Sequence, residues 1–324
     1  MRSSPSAVYE LQQIRGVRPS AKKKRRSNAR HRAEYFAFRV FTAALGRLPP
    51  RAARAIAAKT AWLLLRAAGS RRRILWKNLA HAFPEKSPAE IAAIARGSVE
   101  TTARSLVDFL EVSRGTGEEL LRRVEISGRE HLEGARARGQ GVFLLSAHFG
   151  SWEIGALAAG LLGEPIAPLV RPLDNPLLEA ELTRRRSRFG NEVIAKRDAA
   201  RELLRAMRRN RTVAILVDQN VLPQEAVFVP FFGRLAATTP SLALLQLKTG
   251  AAVVPVFTWP KGDGQYRLGF EEPILSDPDR DLSRAEKVRL LTERYMSVTE
   301  AAIRGDPCAW LWIHNRWRTR PVSE

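Results

Sequence analysis

An α/β fold with a mainly parallel central sheet flanked by helices, preceded by a basic helical region, is what this sequence predicts. Three observations carry the expectation. Short apolar runs of strand length occur at Val142–Ser146, Ile166–Val170, Val213–Val217 and Val253–Phe257. Helical patterns at Asn175–Arg188, Asp198–Asn210 and Thr239–Thr249 separate them, and strands alternating with helices imply parallel pairing covered on both faces. At 324 residues and 45% hydrophobic, the chain is long enough to bury a substantial core and too apolar to be wholly disordered.

The elements follow in order. Residues 1–32 read as a solvated basic tail, with an unbroken cationic run at Lys22–Arg26. The rest of the chain, 33–324, reads as one domain whose first part, 33–70, is a helical, amphipathic, membrane-associating segment broken at Pro49–Pro50. On that segment Arg51, Arg54, Lys59 and Arg66 fall within about 140° of one another at helical spacing, with Trp62 among them. Such a stripe beside an apolar face fits a helix lying in an anionic lipid interface, and equally a surface helix packed on a core. Ser87-Pro88-Ala89-Glu90 marks a helix start, and a helical region runs on to Leu121. Ser283–Arg304 reads as a late helix before the aromatic segment Trp310–Trp317.

Charge and cysteine content narrow the function classes. Of the net +21, residues 1–86 hold 21 basic and 3 acidic residues, and the remainder is nearly balanced at 33 and 30. A block of one sign faces something anionic: nucleic acid, phospholipid headgroups or an acidic partner protein. The basic run has no interleaved aromatics and no recognisable nucleic-acid motif, which argues against nucleic acid as a partner. The one cysteine, Cys308, excludes an internal disulfide and a four-cysteine zinc site. Leu235–Leu247 is uncharged over 13 residues, short of the roughly 20 a membrane-spanning helix needs, and the first 30 residues lack the pattern of a signal peptide. A cytoplasmic location, free or on a membrane surface, is the expectation. No Gly-x-Ser-x-Gly elbow is present, which disfavours an α/β hydrolase.

The strongest chemical signal is the segment Gly141–Gly155, in which an apolar strand ends just before His148 and Gly150-Ser151 open a helix. Ligands of open α/β sheets bind at the carboxyl ends of strands. The helix start offers N–H groups to an anion, and an imidazole is a natural general base toward a hydroxyl. Glu153 is a candidate to hold the ring's other nitrogen, if His148 sits on the turn before the helix. Asn175 is expected to cap the helix beginning at Pro176, and Thr239-Pro240 to begin another. Trp310, Trp312 and Trp317, with Phe231 and Phe232, read as core or interface residues. The spacing of His148, Asp218 and His314 supports no metal site.

Ala147-His148-Phe149-Gly150-Ser151-Trp152-Glu153 resembles the His-x4-Asp/Glu motif of the bacterial lipid A biosynthesis acyltransferases (lauroyl/myristoyl transferases, related to lysophospholipid acyltransferases). Further segments resemble that family in the same order. They are Asn78–Glu85, Val170-Arg171-Pro172, Leu216-Val217-Asp218-Gln219-Asn220, Val229–Gly233, Ala237–Pro240 and Trp312–Pro321. The resemblance spans about residues 35 to 321 and implies a glycerolphosphate acyltransferase-like fold. It implies an O-acyltransferase that moves a fatty acyl chain from an acyl thioester, on acyl carrier protein or coenzyme A, to a hydroxyl of a lipid A precursor or related lipid. His148 would be the general base paired with Glu153, with Arg171 and Asp218 as substrate-binding residues; Asp218, at the end of a predicted strand, could position the His148 side or a sugar hydroxyl, and no metal or other cofactor is needed. The partners implied are a lipid acceptor, acyl carrier protein and an anionic membrane surface, at the cytoplasmic face of the inner membrane. Enzymes of this family usually begin with a spanning helix; here Arg39, Arg47, Arg51, Arg54 and Lys59 interrupt the corresponding region, so peripheral attachment is expected. The competing reading is a non-catalytic basic protein that binds nucleic acid or anionic membrane through its N-terminal region.

Overall fold

The apolar runs do become strands, and they form one sheet. The computed structural model describes residues 27–162, 165–195, 199–276 and 281–321. Strand β1 is Val124–Ser127, β2 Val142–Ser146, β3 Ile166–Val170, β4 Ile194–Ala195, β5 Thr212–Leu216, β8 Ala252–Gly262 and β9 Gln265–Phe270. They lie in the order β1-β9-β8-β2-β5-β3-β4. Every neighbouring pair is parallel except the β8–β9 hairpin. A separate antiparallel hairpin joins β6 (Val227–Phe231) to β7 (Arg234–Thr238). The predicted fold class is therefore the observed one. The run Val253–Phe257 becomes the first half of β8, whereas the β6–β7 hairpin, the far half of β8 with β9, and the short edge strands β1 and β4 do not stand out in the apolar pattern.

Alternate residues of the central strands feed two cores. Phe143 and Leu145 of β2 point into one, with Val213, Ile215, Val253 and Phe257. Val142 and Leu144 point into the other, with Val254, Val256, Leu157 and Ile166. A strand buried on both faces has no polar alternation to show, which is why these segments read as continuous apolar runs.

The N-terminal region is helical throughout its described length. Helix α1 is Asn28–Leu45, α2 Pro50–Ala67, α3 Gly69–Ala82, α4 Pro88–Val112 and α5 Gly117–Leu121. Residues 1–26, with Lys22–Arg26, lie outside the described residues; residues 28–32 form the start of α1, capped by Ser27. At α4 the Ser87 hydroxyl accepts the Glu90 N–H while Glu90 reaches back to the Ser87 N–H, a full capping box. The cationic stripe on α2 needs one correction. Arg51, Lys59 and Arg66 are exposed, but Arg54 is only 8% exposed. Its Nε donates to Asp108 of α4 at 2.5 Å, and Asp108 also accepts the Tyr266 hydroxyl of β9. That cluster ties α2 to α4 and to the sheet. Among the described residues, no helix is long and apolar enough to cross a membrane.

The later helices are α6 (Arg129–Ala137), α7 (Trp152–Leu161), α8 (Pro176–Arg186), α9 (Ala199–Arg208), α10 (Ser241–Thr249) and α11 (Arg284–Gly305). Asn175 caps α8 as expected, accepting the Leu177 and Leu178 N–H groups. The aromatic segment after α11 folds back across the sheet edge, where Trp310 and Trp312 are each 1% exposed. The Asn78 amide of α3 holds it there, donating to the Trp312 and His314 carbonyls at 2.8 and 2.7 Å.

Candidate active site

Strands β2 and β5 are parallel neighbours in a register that sets Ser146 beside Leu216. Two residues further along each chain stand His148 and Asp218, so the sheet itself brings them together. The His148 Nδ1 lies 2.9 Å from Asp218 Oδ1, and the His148 backbone N–H donates to Oδ2 at 2.9 Å. The Trp310 indole N–H donates to the same Oδ2 at 2.8 Å. Asp218 is 2% exposed and thus fully engaged.

With its Nδ1 proton directed at Asp218, the ring presents Nε2 as its basic nitrogen. That atom faces the Gln219 side-chain amide at 3.1 Å. The Trp152 ring packs edge-on against the imidazole, with centroids 5.1 Å apart. Burial works against a charge on His148, but the Asp218 carboxylate and its hydrogen bond outweigh it, and Glu153 adds to them. The net result is a ring that titrates above its usual 6.5. Burial likewise opposes the Asp218 charge, yet His148 and the hydrogen bonds from His148 and Trp310 hold its pKa down at about 2.

The expected pairing of His148 with Glu153 is not the one the structure makes. Glu153 sits in the first turn of α7, and its carboxylate is taken by Arg186 of α8, with Nη2–Oε1 at 2.6 Å and Nε–Oε2 at 3.0 Å. The ring nitrogen that needs a partner points across to β5 instead, because the strand register fixes Asp218 there. The Glu153 charge still reaches the ring electrostatically. Arg171 follows β3, the strand next to β5, and is exposed on the same carboxyl edge of the sheet.

The turn carrying His148 is tightly determined. Gly150 has φ +55°, and a Cβ there would overlap the Thr258 carbonyl oxygen. Its N–H donates to Ala309 O and that of Ser151 to Thr258 O, so both groups are committed to the fold. The N–H groups available to an anion at this helix end begin at Trp152, two residues after the Gly150 that opens the turn. The Leu311 N–H in turn donates to the His148 carbonyl at 3.0 Å, which fastens the C-terminal segment to the turn. Nothing in the spacing of the sequence marks the donation from Trp310 to Asp218 beyond the usual tendency of a buried indole N–H to find a partner.

The remaining candidates are structural. His314 Nε2 accepts the Asn220 N–H at 2.9 Å, and burial lowers its pKa to about 4. Arg316 is 0% exposed and donates to Ala237 O at 2.6 Å and Thr238 Oγ1 at 2.5 Å, above the Phe231 ring. Burial raises the Cys308 thiol above its usual value, with Asp306 and Glu100 adding to the effect, so the thiolate is disfavoured.

A His–Asp pair on the carboxyl edge of a parallel sheet does not by itself name a reaction. The model of the family described as bacterial lipid A biosynthesis acyltransferase matches residues 21–319. The chain belongs to that family. It is 31% identical to the lipid A biosynthesis lauroyltransferase of Escherichia coli K12 over 262 residues, covering 80% of this chain and 83% of the relative. It is 30% identical to the palmitoleoyltransferase of the same organism, over 78% of this chain and 81% of the relative. The Escherichia coli myristoyltransferase is 29% identical over 79% and 77%. This protein is thus an acyltransferase of the lipid A biosynthesis family, and the reading as a non-catalytic basic protein is set aside. Within the acyltransferase, an apolar groove of ≈430 Å³ runs between α1, α2, α4 and the C-terminal segment, lined by Phe41, Leu64, Val99, Leu106, Leu311 and Ile313 among others. Leu311 is the residue bonded to the His148 carbonyl, so one end of the groove adjoins the turn.

Proposed function

We propose that the acyltransferase moves a fatty acyl chain from an acyl thioester to a hydroxyl of a lipid A precursor or related glycolipid or lysolipid. The observation that carries this reading is the outward-facing Nε2 of a histidine whose other nitrogen is held by a buried carboxylate. In the proposed reaction His148 Nε2 removes the acceptor hydroxyl proton as the oxygen attacks the thioester carbonyl carbon. The tetrahedral intermediate collapses with cleavage of the C–S bond, and the leaving thiolate takes the proton from the imidazolium. Asp218 orients the ring and stabilises its charged form, with Glu153 as a more distant negative charge. The Gln219 amide must leave Nε2 when the hydroxyl arrives. Arg171 is our candidate for the developing oxyanion or for a substrate phosphate. No metal or other cofactor enters the scheme.

We place the enzyme peripherally on the cytoplasmic face of the inner membrane, with acyl carrier protein or coenzyme A as thioester donor. What supports attachment is the combination of exposed apolar side chains on the N-terminal helices, such as Phe36, Phe41, Leu63 and Leu64, with the exposed cations Arg51, Lys59 and Arg66. Cations near an anionic surface contribute about 1 kcal/mol each. The groove beside the turn is of a size and lining suited to hydrocarbon.

The test is transfer of a labelled acyl group, from acyl carrier protein and separately from coenzyme A, to a panel of acceptors with His148→Ala as control. The panel holds a tetra-acylated lipid A precursor, a lysophospholipid and a mannosylated glycolipid. Transfer to one acceptor that vanishes in the variant is the expected result. Absence of transfer to all of them, or transfer that survives in His148→Ala, overturns the reading.

A further inference from the structure

Away from the His148 turn, four guanidiniums surround one carboxylate. Arg39 on α1, Arg114 in the α4–α5 turn, and Arg184 and Arg185 on α8 line a pocket of ≈300 Å³ together with Glu181 and Thr42. The lining is three positive charges in excess. Glu181 is shared by its two neighbours: Arg184 chelates it at 3.0 and 3.1 Å, and Arg185 Nε reaches it at 2.8 Å. Arg185 is further anchored by the Leu110 carbonyl and the Ser113 hydroxyl, with its side chain 4% exposed. Arg39 donates to the Tyr35 hydroxyl at 3.1 Å rather than to a carboxylate. Arg114 lies over Gly46, where a Cβ would come within 2.9 Å of its Nη1.

Four like charges brought to one cavity repel each other, and among the described residues its lining supplies a single counter-charge, Glu181. Burial lowers the Arg185 pKa; Glu181 and its hydrogen bond oppose this, and Arg114 and Arg184 add smaller contributions that lower it. A tetrahedral dianion answers both the charge and the geometry, since planar guanidiniums fork onto phosphate oxygens from several directions. We infer that this pocket is a binding site for a phosphate monoester, separate from the His148 turn. The phosphate is either borne by a lipid or free in solution.

Binding to the full-length chain is measured without turnover, so the outcome does not depend on the acyl-transfer reading. The probes are inorganic phosphate by calorimetry, and phosphatidylcholine vesicles carrying either phosphatidic acid, a monoester, or phosphatidylglycerol, a diester, at equal anionic fraction. Arg39→Gln and Arg114→Gln remove exposed pocket cations on which the core does not rest. Arg205→Gln removes one exposed cation on α9, outside the pocket and away from the N-terminal helices. Gly46→Ala displaces the Arg114 guanidinium with no change of charge. The expected result is saturable binding of phosphate or of phosphatidic acid vesicles, weakened roughly tenfold by Arg39→Gln, Arg114→Gln and Gly46→Ala but not by Arg205→Gln. Preference for phosphatidic acid over phosphatidylglycerol identifies a lipid source; phosphate binding with no vesicle preference identifies a soluble one. Equal weakening by Arg205→Gln, or neither phosphate binding nor a preference for phosphatidic acid, overturns the inference.

Discussion

Asp218 holds His148 at two points, the ring Nδ1 at 2.9 Å and the backbone N–H at 2.9 Å, across a parallel strand pair whose register matches their positions. One carboxylate thereby fixes both the orientation of the imidazole and the path of the turn that carries it. Replacing His148 by Ala removes the proposed base, and kcat is expected to fall by roughly 10²–10⁴-fold, read in an acyl-transfer assay with folding checked by circular dichroism.

The pH profile follows from the same contact. The base works as neutral imidazole, and its pKa is raised above 6.5, so kcat/KM should climb with pH through a value above 6.5. Asp218→Asn removes the main charge raising it. The acidic limb should then move to lower pH while the maximal rate drops, because the imidazolium loses its counter-charge. An unmoved limb in the variant would contradict this assignment.

Glu153→Gln should behave differently from Asp218→Asn. Its carboxylate is committed to Arg186, and its influence on the ring is electrostatic only. The expected signature is a smaller loss of kcat with a small downward displacement of the acidic limb, accompanied by a lowered Tm from the broken Arg186 contact. A loss equal to that of Asp218→Asn would assign Glu153 to the reaction itself.

Arg54→Ala leaves Asp108 buried and without its cation, next to the Tyr266 hydroxyl. Breaking a buried pair from one side costs about 3–5 kcal/mol, measurable as a shift of the urea midpoint. The equivalent change at exposed Arg51, whose partner Asp263 is also exposed, should cost well under about 1 kcal/mol.

Gly150→Ala places a methyl on the Thr258 carbonyl in a left-handed backbone. A loss of about 2 kcal/mol or more in unfolding free energy is expected, together with loss of transfer, since the displaced turn carries His148.

The parts of the structure that rest on local pattern were legible. Strands β2 and β3 lie at their predicted limits, and the capping residues Ser87, Asn175 and Ser283 begin helices α4, α8 and α11. His148 announced itself by following a strand. What was not legible depends on register and on distant partners. Glu153 is near His148 in sequence, but Asp218 is near it in space, and only the order of the sheet decides between them. Arg54 shares its helical arc with Arg66, yet Asp108 draws it inward, a pairing that no periodicity in α2 reveals. The β6–β7 hairpin and the far end of β8 carry prolines and mixed burial, which blur the pattern a strand would otherwise show.

The segment that closes over the turn has a temporal meaning as well. Trp310 stands 92 residues beyond Asp218, and the amide that steadies its neighbourhood, Asn78, is 234 residues before Trp312. During synthesis the histidine, its carboxylate and the whole parallel sheet emerge from the ribosome before the indole that completes them. A nascent chain stalled before Trp310 has His148 and Asp218 but lacks the indole donor and the C-terminal segment bonded to the turn. The His148 turn therefore gains its indole donor only after every strand of the parallel sheet has been made, so the proposed base is held last by the most C-terminal of its partners.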